Sequence, residues 1–209
     1  YRTPHLDETD ACHMAEHLVL SSCRKYRSRD IFFDMDSKSY STFMNGMTDT
    51  SCTCYPFCSV SQKQLIKLMD VALCCMEEPE ALTEPFFFER EALRFELKEP
   101  DSPLTMSGTV FGEDWAHLTD LEENADSHTA RTLYPDSLAS RLPGRAHFHY
   151  SEISREKTLH ILKEYYQYSN CLILLYGNMD FEAVLAFLNK EHLSRYPARK
   201  DSVSPSVFQ

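Results

Sequence analysis

Thr9-Asp10-Ala11-Cys12-His13-Met14-Ala15-Glu16-His17-Leu18-Val19-Leu20-Ser21-Ser22-Cys23 is the stretch around which the rest of the chain organises. Thr9 or Asp10 can cap a helix that runs through His17 and Leu20 to about Cys23. In that helix His13 and His17 stand at i and i+4 on one face. Their Cβ atoms are then about 6 Å apart, so both imidazoles can reach one metal ion. Glu16 precedes the second histidine, and its carboxylate projects beside such an ion rather than onto it. There it can hold and deprotonate a water. The bland reading is a surface helix with two solvated histidines, because a pentad of this kind arises in about 3 of 100 shuffles of this composition. A catalytic zinc also needs a third protein ligand, with the fourth position left for water. Residue spacing leaves Glu84, Glu89, Glu91, Glu113 and Glu122 all open for that role.

Outward from this helix, a second short one is expected over Ile31 to Lys38. Thr, Phe, Tyr and Cys in short runs between Thr42 and Ser59 flank Thr48-Asp49-Thr50-Ser51, which predicts two strands joined by a turn. Ser61 with Gln64 makes a capping box, and Leu65, Ile66, Leu68, Met69, Ala72, Leu73 and Met76 form a wide apolar stripe ending before Pro79. Pro85 opens a helix expected to carry Phe86 to Leu97, followed by a loop from Glu99 to Leu104. Another helix is expected from Gly108 to Leu121, with Gly108 and Gly112 weakening its first half. Residues 135–150 read as irregular. Ser154 caps a helix to about Tyr168, Cys171 to Tyr176 reads as a buried strand, and an amphipathic helix runs from Phe181 to about His192. Helices alternate irregularly with a few antiparallel strands, so the fold class is α+β.

The chain has 209 residues, 43% of them hydrophobic and 25% charged, which suits one domain. No apolar run approaches the roughly 20 residues of a membrane span. The net charge of −11 makes nucleic acid and anionic membranes poor partners. The eight cysteines lie in apolar runs, which points to small packing residues in a reducing, cytosol-like compartment. Cys52, Cys54 and Cys58 share one strand face but fit no usual zinc spacing, so they read as core. His147 and His149 read as exposed, Trp115 as packed beside the site, and Glu77-Glu78-Glu80 and Glu122-Glu123 as solvated faces. Residues 1–196 are taken as one domain, with 197–209 as a linker or frayed tail. The beginning of the chain suggests a piece cut from something longer, truncated at its first strand.

His13-Met14-Ala15-Glu16-His17 has the His-x-x-Glu-His order of the inverzincins. Ser22-Cys23-Arg24-Lys25-Tyr26, Ser41-Thr42-Phe43-Met44-Asn45 and Tyr55-Pro56-Phe57 follow at matching intervals. Gly108-Thr109-Val110-Phe111-Gly112-Glu113 stands 96 positions after His17, and Leu133-Tyr134-Pro135-Asp136, Tyr168-Ser169-Asn170 and Leu175-Tyr176-Gly177-Asn178 continue the pattern. With these motifs the chain resembles the first domain of the pitrilysin/insulinase metallopeptidases, most closely their presequence-protease branch. Even Tyr1-Arg2-Thr3-Pro4 is similar to the end of the strand that precedes the active helix. Departures flank the motifs: Ala11-Cys12 before the pentad, Gly112, Asp114 and Trp115 around the last Glu, and Leu142-Pro143-Gly144-Arg145 in place of a glycine-rich turn.

The resemblance implies an antiparallel sheet packed against helices and a zinc site between two helices. It implies one zinc held by His13, His17 and Glu113, Glu16 as general base, and hydrolysis of peptides. Substrate would pair as an added strand beside Asn45-Gly46. Further homologous domains of the parent chain would be partners, and the isolated piece would be a poor peptidase without them. The alternative is a catalytically silent homologue that binds peptide or serves as a structural domain in a larger assembly.

Overall fold

The computed structural model describes residues 1–144 and 149–196, so Arg145, His147 and the 197–209 tail lie outside the described residues. Helix α1, Ala11–Val19, buries Met14, Ala15, Leu18 and Val19 and leaves His13 and His17 half-buried on its other side. It stops four residues short of Cys23. Ser21 Oγ donates to the His17 carbonyl at 2.8 Å, which satisfies an acceptor the last turn would otherwise leave open. Helix α2, Ile31–Lys38, begins at Asp30, whose side chain accepts from Phe33 N.

The region expected to hold two strands is a single long hairpin, interrupted once. Strands β1 (Ser41–Met44) and β4 (Phe57–Ser59) pair antiparallel, as do β2 (Met47–Thr48) and β3 (Thr53–Cys54). The break falls at Asn45-Gly46 opposite Tyr55-Pro56, where Asn45 N still donates to Pro56 O at 3.1 Å. The first residues dock on the hairpin end: Thr53 N donates to Tyr1 O, and Thr3 N donates to Ser51 O. Helix α3, Gln62–Glu77, starts at its expected cap, Ser61, which accepts from Gln64 N.

Helix α4 covers only Pro85–Glu91, not the segment to Leu97. Arg94–Glu96 is strand β5, paired antiparallel with β6, Thr105–Ser107, across the expected loop. Helix α5 runs Thr109–Thr119 with Gly108 as its N-cap residue, and α6, Leu121–Leu133, is a helix the sequence reading did not assign. Its polar composition explains the omission, since among its buried residues only Ser127 appears. Helix α7 spans Arg155–Tyr165, capped by Ser154, and α8 spans Phe181–Glu191, capped by Asp180.

Two expectations fail on burial. Cys171 to Tyr176 forms no strand, and Leu172, Leu174 and Tyr176 are 86%, 85% and 93% exposed. Its apolar run was read as buried, but among the described residues no strand pairs with it. Cys54 and Cys58 are exposed and Cys52 half-buried, because the hairpin turns that face outward. The main core instead joins Ala15 and Leu18 of α1 in one cluster with Met69 and Cys75 of α3, Leu162 of α7 and Val184 of α8. The result is α+β, with small antiparallel sheets beside helices.

Candidate metal centre

Helices α1 and α5 bring three side chains together. His13 Nε2 lies 3.4 Å and His17 Nε2 3.3 Å from the same oxygen, Glu113 Oε2 on α5. The three donor atoms all fall within 4.8 Å of one another. Zinc at roughly 2.0–2.1 Å from each ligand sets neighbouring tetrahedral donors about 3.3 Å apart. Two imidazoles and one carboxylate at this separation therefore fit zinc in both chemistry and size. The α5 helix is carried to this point by its first turn, where Phe111 N donates to Ala92 O at the end of α4.

Each histidine is held from behind. His13 Nδ1 donates to Asp10 Oδ2 at 2.9 Å, and His17 Nδ1 donates to Glu91 Oε2 at 3.4 Å. Donation through Nδ1 fixes the tautomer and turns Nε2 toward Glu113, the arrangement that metal-binding histidines require. Without a cation, charge gathers on these groups. Burial disfavours the imidazolium of His17, but hydrogen bonds to Glu113 and Glu91 outweigh it and lift the pKa to about 9. Burial likewise opposes charge on His13, yet Asp10 and Glu113 raise its pKa well above the ordinary value. Burial would favour the neutral acid of Glu113, but bonds from His13 and His17 hold its carboxyl well below the usual range. The cluster is a place where positive charge is stabilised.

Glu16 is buried at 7% exposure beside this cluster, and Thr48 Oγ1 on β2 donates to its Oε2 at 2.6 Å. The other oxygen faces Gly46, where a Cβ would collide with it. A hydroxyl on one side and the bare backbone of the hairpin break on the other fix the carboxylate in one orientation. His13, Glu16, His17 and Glu113 open onto a cleft of about 820 Å³ that Asn45 and Gly46 also line. Glu84, Glu89 and Glu122 are exposed and stand outside the cluster, while Glu91 backs His17 instead of joining Glu113.

No family model matches the chain. It is 32% identical over 209 residues to the mitochondrial presequence protease of Mus musculus, covering 98% of this chain and 20% of that one. The Xenopus tropicalis presequence protease is 34% identical over 208 residues, covering 98% and 20%. Protein HypA of Clostridium perfringens is 30% identical over 196 residues, covering 94% and 20%. Homologues of the chain at about 30% identity are presequence proteases, of the pitrilysin/insulinase family. The chain spans about a fifth of the length of these presequence-protease relatives. In fold it matches the first half of the periplasmic protease PqqL of Escherichia coli with a TM-score of 0.69, at 16% identity, over 94% of this chain and 39% of that one. The two presequence proteases are named as mitochondrial and PqqL as periplasmic, so no single compartment is common to them. No helix among the described residues is long and apolar enough to cross a membrane.

Within this presequence-protease homologue, several side chains near the cluster went unread in the sequence. Asp10, with Thr9 one of two expected caps, stands at the N-cap position, but its side chain makes no cap bond and binds His13. Thr48 was placed in a turn. The spacing of Asp10 three residues before His13 was an available signal, since i and i+3 are neighbours on a helix. Thr48 left none, because only the hairpin brings it back to Glu16. Trp115 stacks on Phe111 and is 56% exposed, outside the cleft lining. His149 is half-buried and bonds Glu152, and Glu123, read as solvated, contacts His117 in the cleft wall.

A second group, Asp70, Cys74 and His192, also brings three donors together. There His192 is fully buried, with Nδ1 2.9 Å from Glu77 Oε1 and Nε2 3.1 Å from Asp70 Oδ1. Lys25 Nζ and the Tyr26 hydroxyl donate to Asp70 as well. A cation already occupies this carboxylate, so the group is a polar clamp between α3 and the end of α8. Glu77 and Glu80 are accordingly tied down, Glu77 to His192 and Tyr168 and Glu80 to Ser22, rather than solvated.

Proposed function

We propose that this chain is the metal-binding catalytic domain, over residues 1–196, of a zinc-dependent endopeptidase that hydrolyses peptides or unfolded segments. One observation carries the reading: two imidazole nitrogens lie 3.3–3.4 Å from one Glu113 oxygen, all three atoms within 4.8 Å of one another, beside a buried, oriented carboxylate that opens on a cleft. His13, His17 and Glu113 would hold the metal. Bound zinc supplies Lewis-acid polarisation of the scissile carbonyl and lowers the pKa of water.

The remaining work falls to the chain itself. Glu16 takes the proton of the attacking water at its carboxylate and returns it to the departing amine, while Thr48 keeps that carboxylate from rotating away. Asn45 and Gly46, at the hairpin break, offer backbone to an extended peptide lying in the cleft, a mode that tolerates varied sequences. Further domains of the parent protein would close the cleft, consistent with relatives about five times longer than this chain.

His17→Ala is expected to abolish stoichiometric zinc by elemental analysis; unchanged zinc would remove His17 from the ligand set. In the longer parent protein, Glu16→Gln is expected to keep zinc and lose hydrolysis of an unstructured peptide of about 20 residues by at least ~100-fold, the scale of general-base loss. Full activity in that variant would exclude Glu16 as the base. Zinc-loaded wild-type protein with no hydrolysis would favour a silent peptide-binding homologue.

A further inference from the structure

Asp10 combines three features that a helix cap does not need. Its backbone is left-handed, with φ 56° and ψ 28°, a conformation that costs energy for any residue but glycine, least of all for Asn and Asp. Its side chain is almost fully buried, although an unpaired buried carboxylate is costly. Its Oδ2 accepts two hydrogen bonds at once, from His13 Nδ1 and from Gly144 N, each at 2.9 Å. Oδ1 makes no hydrogen bond among the described residues, and the nearest partner, His5 Nδ1, stands 3.9 Å away.

The Gly144 bond matters because of where that residue sits. Leu142, Pro143 and Gly144 form part of the cleft wall, together with His117 and Glu123. Gly144 lies at φ 70°, and a Cβ there would stand 2.7 Å from His117 Cδ2. The wall segment is thus pressed against His117 on one side and tied by its N–H to Asp10 on the other. One oxygen therefore orients a candidate metal ligand and anchors the wall over the same cleft.

We infer that Asp10 is a positioning residue that sets the orientation of His13 for metal binding and fastens the 142–144 wall of the substrate cleft to it. The inference rests on His13 being a metal ligand, as argued above. A strained, buried carboxylate at this point makes sense as a device for function: the backbone cost is offset by two charge-assisted hydrogen bonds that converge on the site. Outer carboxylates of this kind tune metal affinity without touching the metal.

The test compares Asp10→Gly, Asp10→Asn and His13→Ala with the wild-type protein, reading zinc affinity by chelator competition and the melting temperature of the metal-free form. Glycine suits φ 56° but leaves His13 Nδ1 and Gly144 N without their acceptor, so Asp10→Gly should stay folded, melting near or below wild type, while binding zinc ~10–100-fold more weakly, the usual loss of an outer-shell partner. Asparagine keeps an acceptor oxygen, so Asp10→Asn should recover part of that loss. At saturating zinc, Asp10→Gly should also raise KM for a peptide several-fold, because the wall is released. Zinc affinity within twofold of wild type in both Asp10 variants, with affinity lost in His13→Ala, would overturn the positioning role and leave the ligand reading standing. An unchanged KM would overturn the anchoring of the wall. Retention of zinc by His13→Ala would instead sink the ligand reading on which the inference depends.

Discussion

At the scale of single residues, the feature that organises the site is the confinement of Glu16. Its carboxylate has a hydroxyl donor on one side and a glycine on the other, and each can be tested without touching a ligand. Gly46→Ala would place a methyl where Oε1 now lies, so the carboxylate must rotate. We expect zinc content to be kept and kcat on a peptide to fall by ~10-fold or more, since small misplacements of a catalytic group are costly. Thr48→Val removes the donor at nearly constant volume and leaves a buried carboxylate short of one hydrogen bond, a change of about 1–3 kcal/mol. Its expected signature is a lower melting temperature together with reduced kcat; wild-type kcat would show that Thr48 does not orient Glu16.

At the scale of elements, the apolar helices with clear caps were legible, whereas the polar α6, although capped by Asp120, and the end of α4 were not. Ser61, Ser154 and Asp180 each accept from the backbone N–H three residues on, where a helix start was read or nearly so. Ser61→Ala should therefore destabilise the protein by about 1 kcal/mol, measured by urea unfolding, and no change would mean that packing of α3 alone fixes its start. A larger loss, about 2–5 kcal/mol, is expected for Leu68→Ala, because Leu68 is 2% exposed in the middle of α3. By contrast, α4 was extended six residues too far because Phe95 and Leu97 continue its apolar character. Strand pairing with β6 decides that segment, and such pairing depends on residues nine to thirteen positions away.

At the scale of the whole molecule, the clamp of His192, Asp70, Glu77 and Lys25 ties the C-terminal helix to the segment after α1. Burial raises the pKa of Asp70, but hydrogen bonds from Lys25 and Tyr26 outweigh it, with the nearby charge of His192, and hold it below the ordinary value. A carboxyl depressed by folding contributes stability above its unfolded pKa, about 3.9, and loses that contribution as pH falls through its folded pKa. The stability difference between wild type and Asp70→Asn should therefore be present at pH 7 and shrink below about pH 4. Urea midpoints at pH 7 and pH 3 check this; a difference that stays constant would remove the clamp as its origin. If the cleft takes peptides as proposed, the net charge of −11, with Glu91, Glu123 and Asp126 in the cleft lining, would favour basic ones. KM for a basic peptide should rise as salt is added, while KM for an acidic one should not.

The sequence by itself determined the local events: the α+β class, the capped helices, and the placing of His13, Glu16 and His17 on one short helix. These depend on spacings of one to four residues, which a helix converts directly into geometry. Residue spacing alone could not choose Glu113 over Glu91, because both stand on helices at unspecified angles to α1. Only tertiary packing sends Glu113 to the Nε2 side and Glu91 to the Nδ1 side of His17. The same holds for Thr48 and Gly144, which lie 32 and 134 residues from their partners Glu16 and Asp10. The exposed course of Leu172, Leu174 and Tyr176 was likewise decided by tertiary structure, since an apolar run states what could be buried and not whether a partner strand is present.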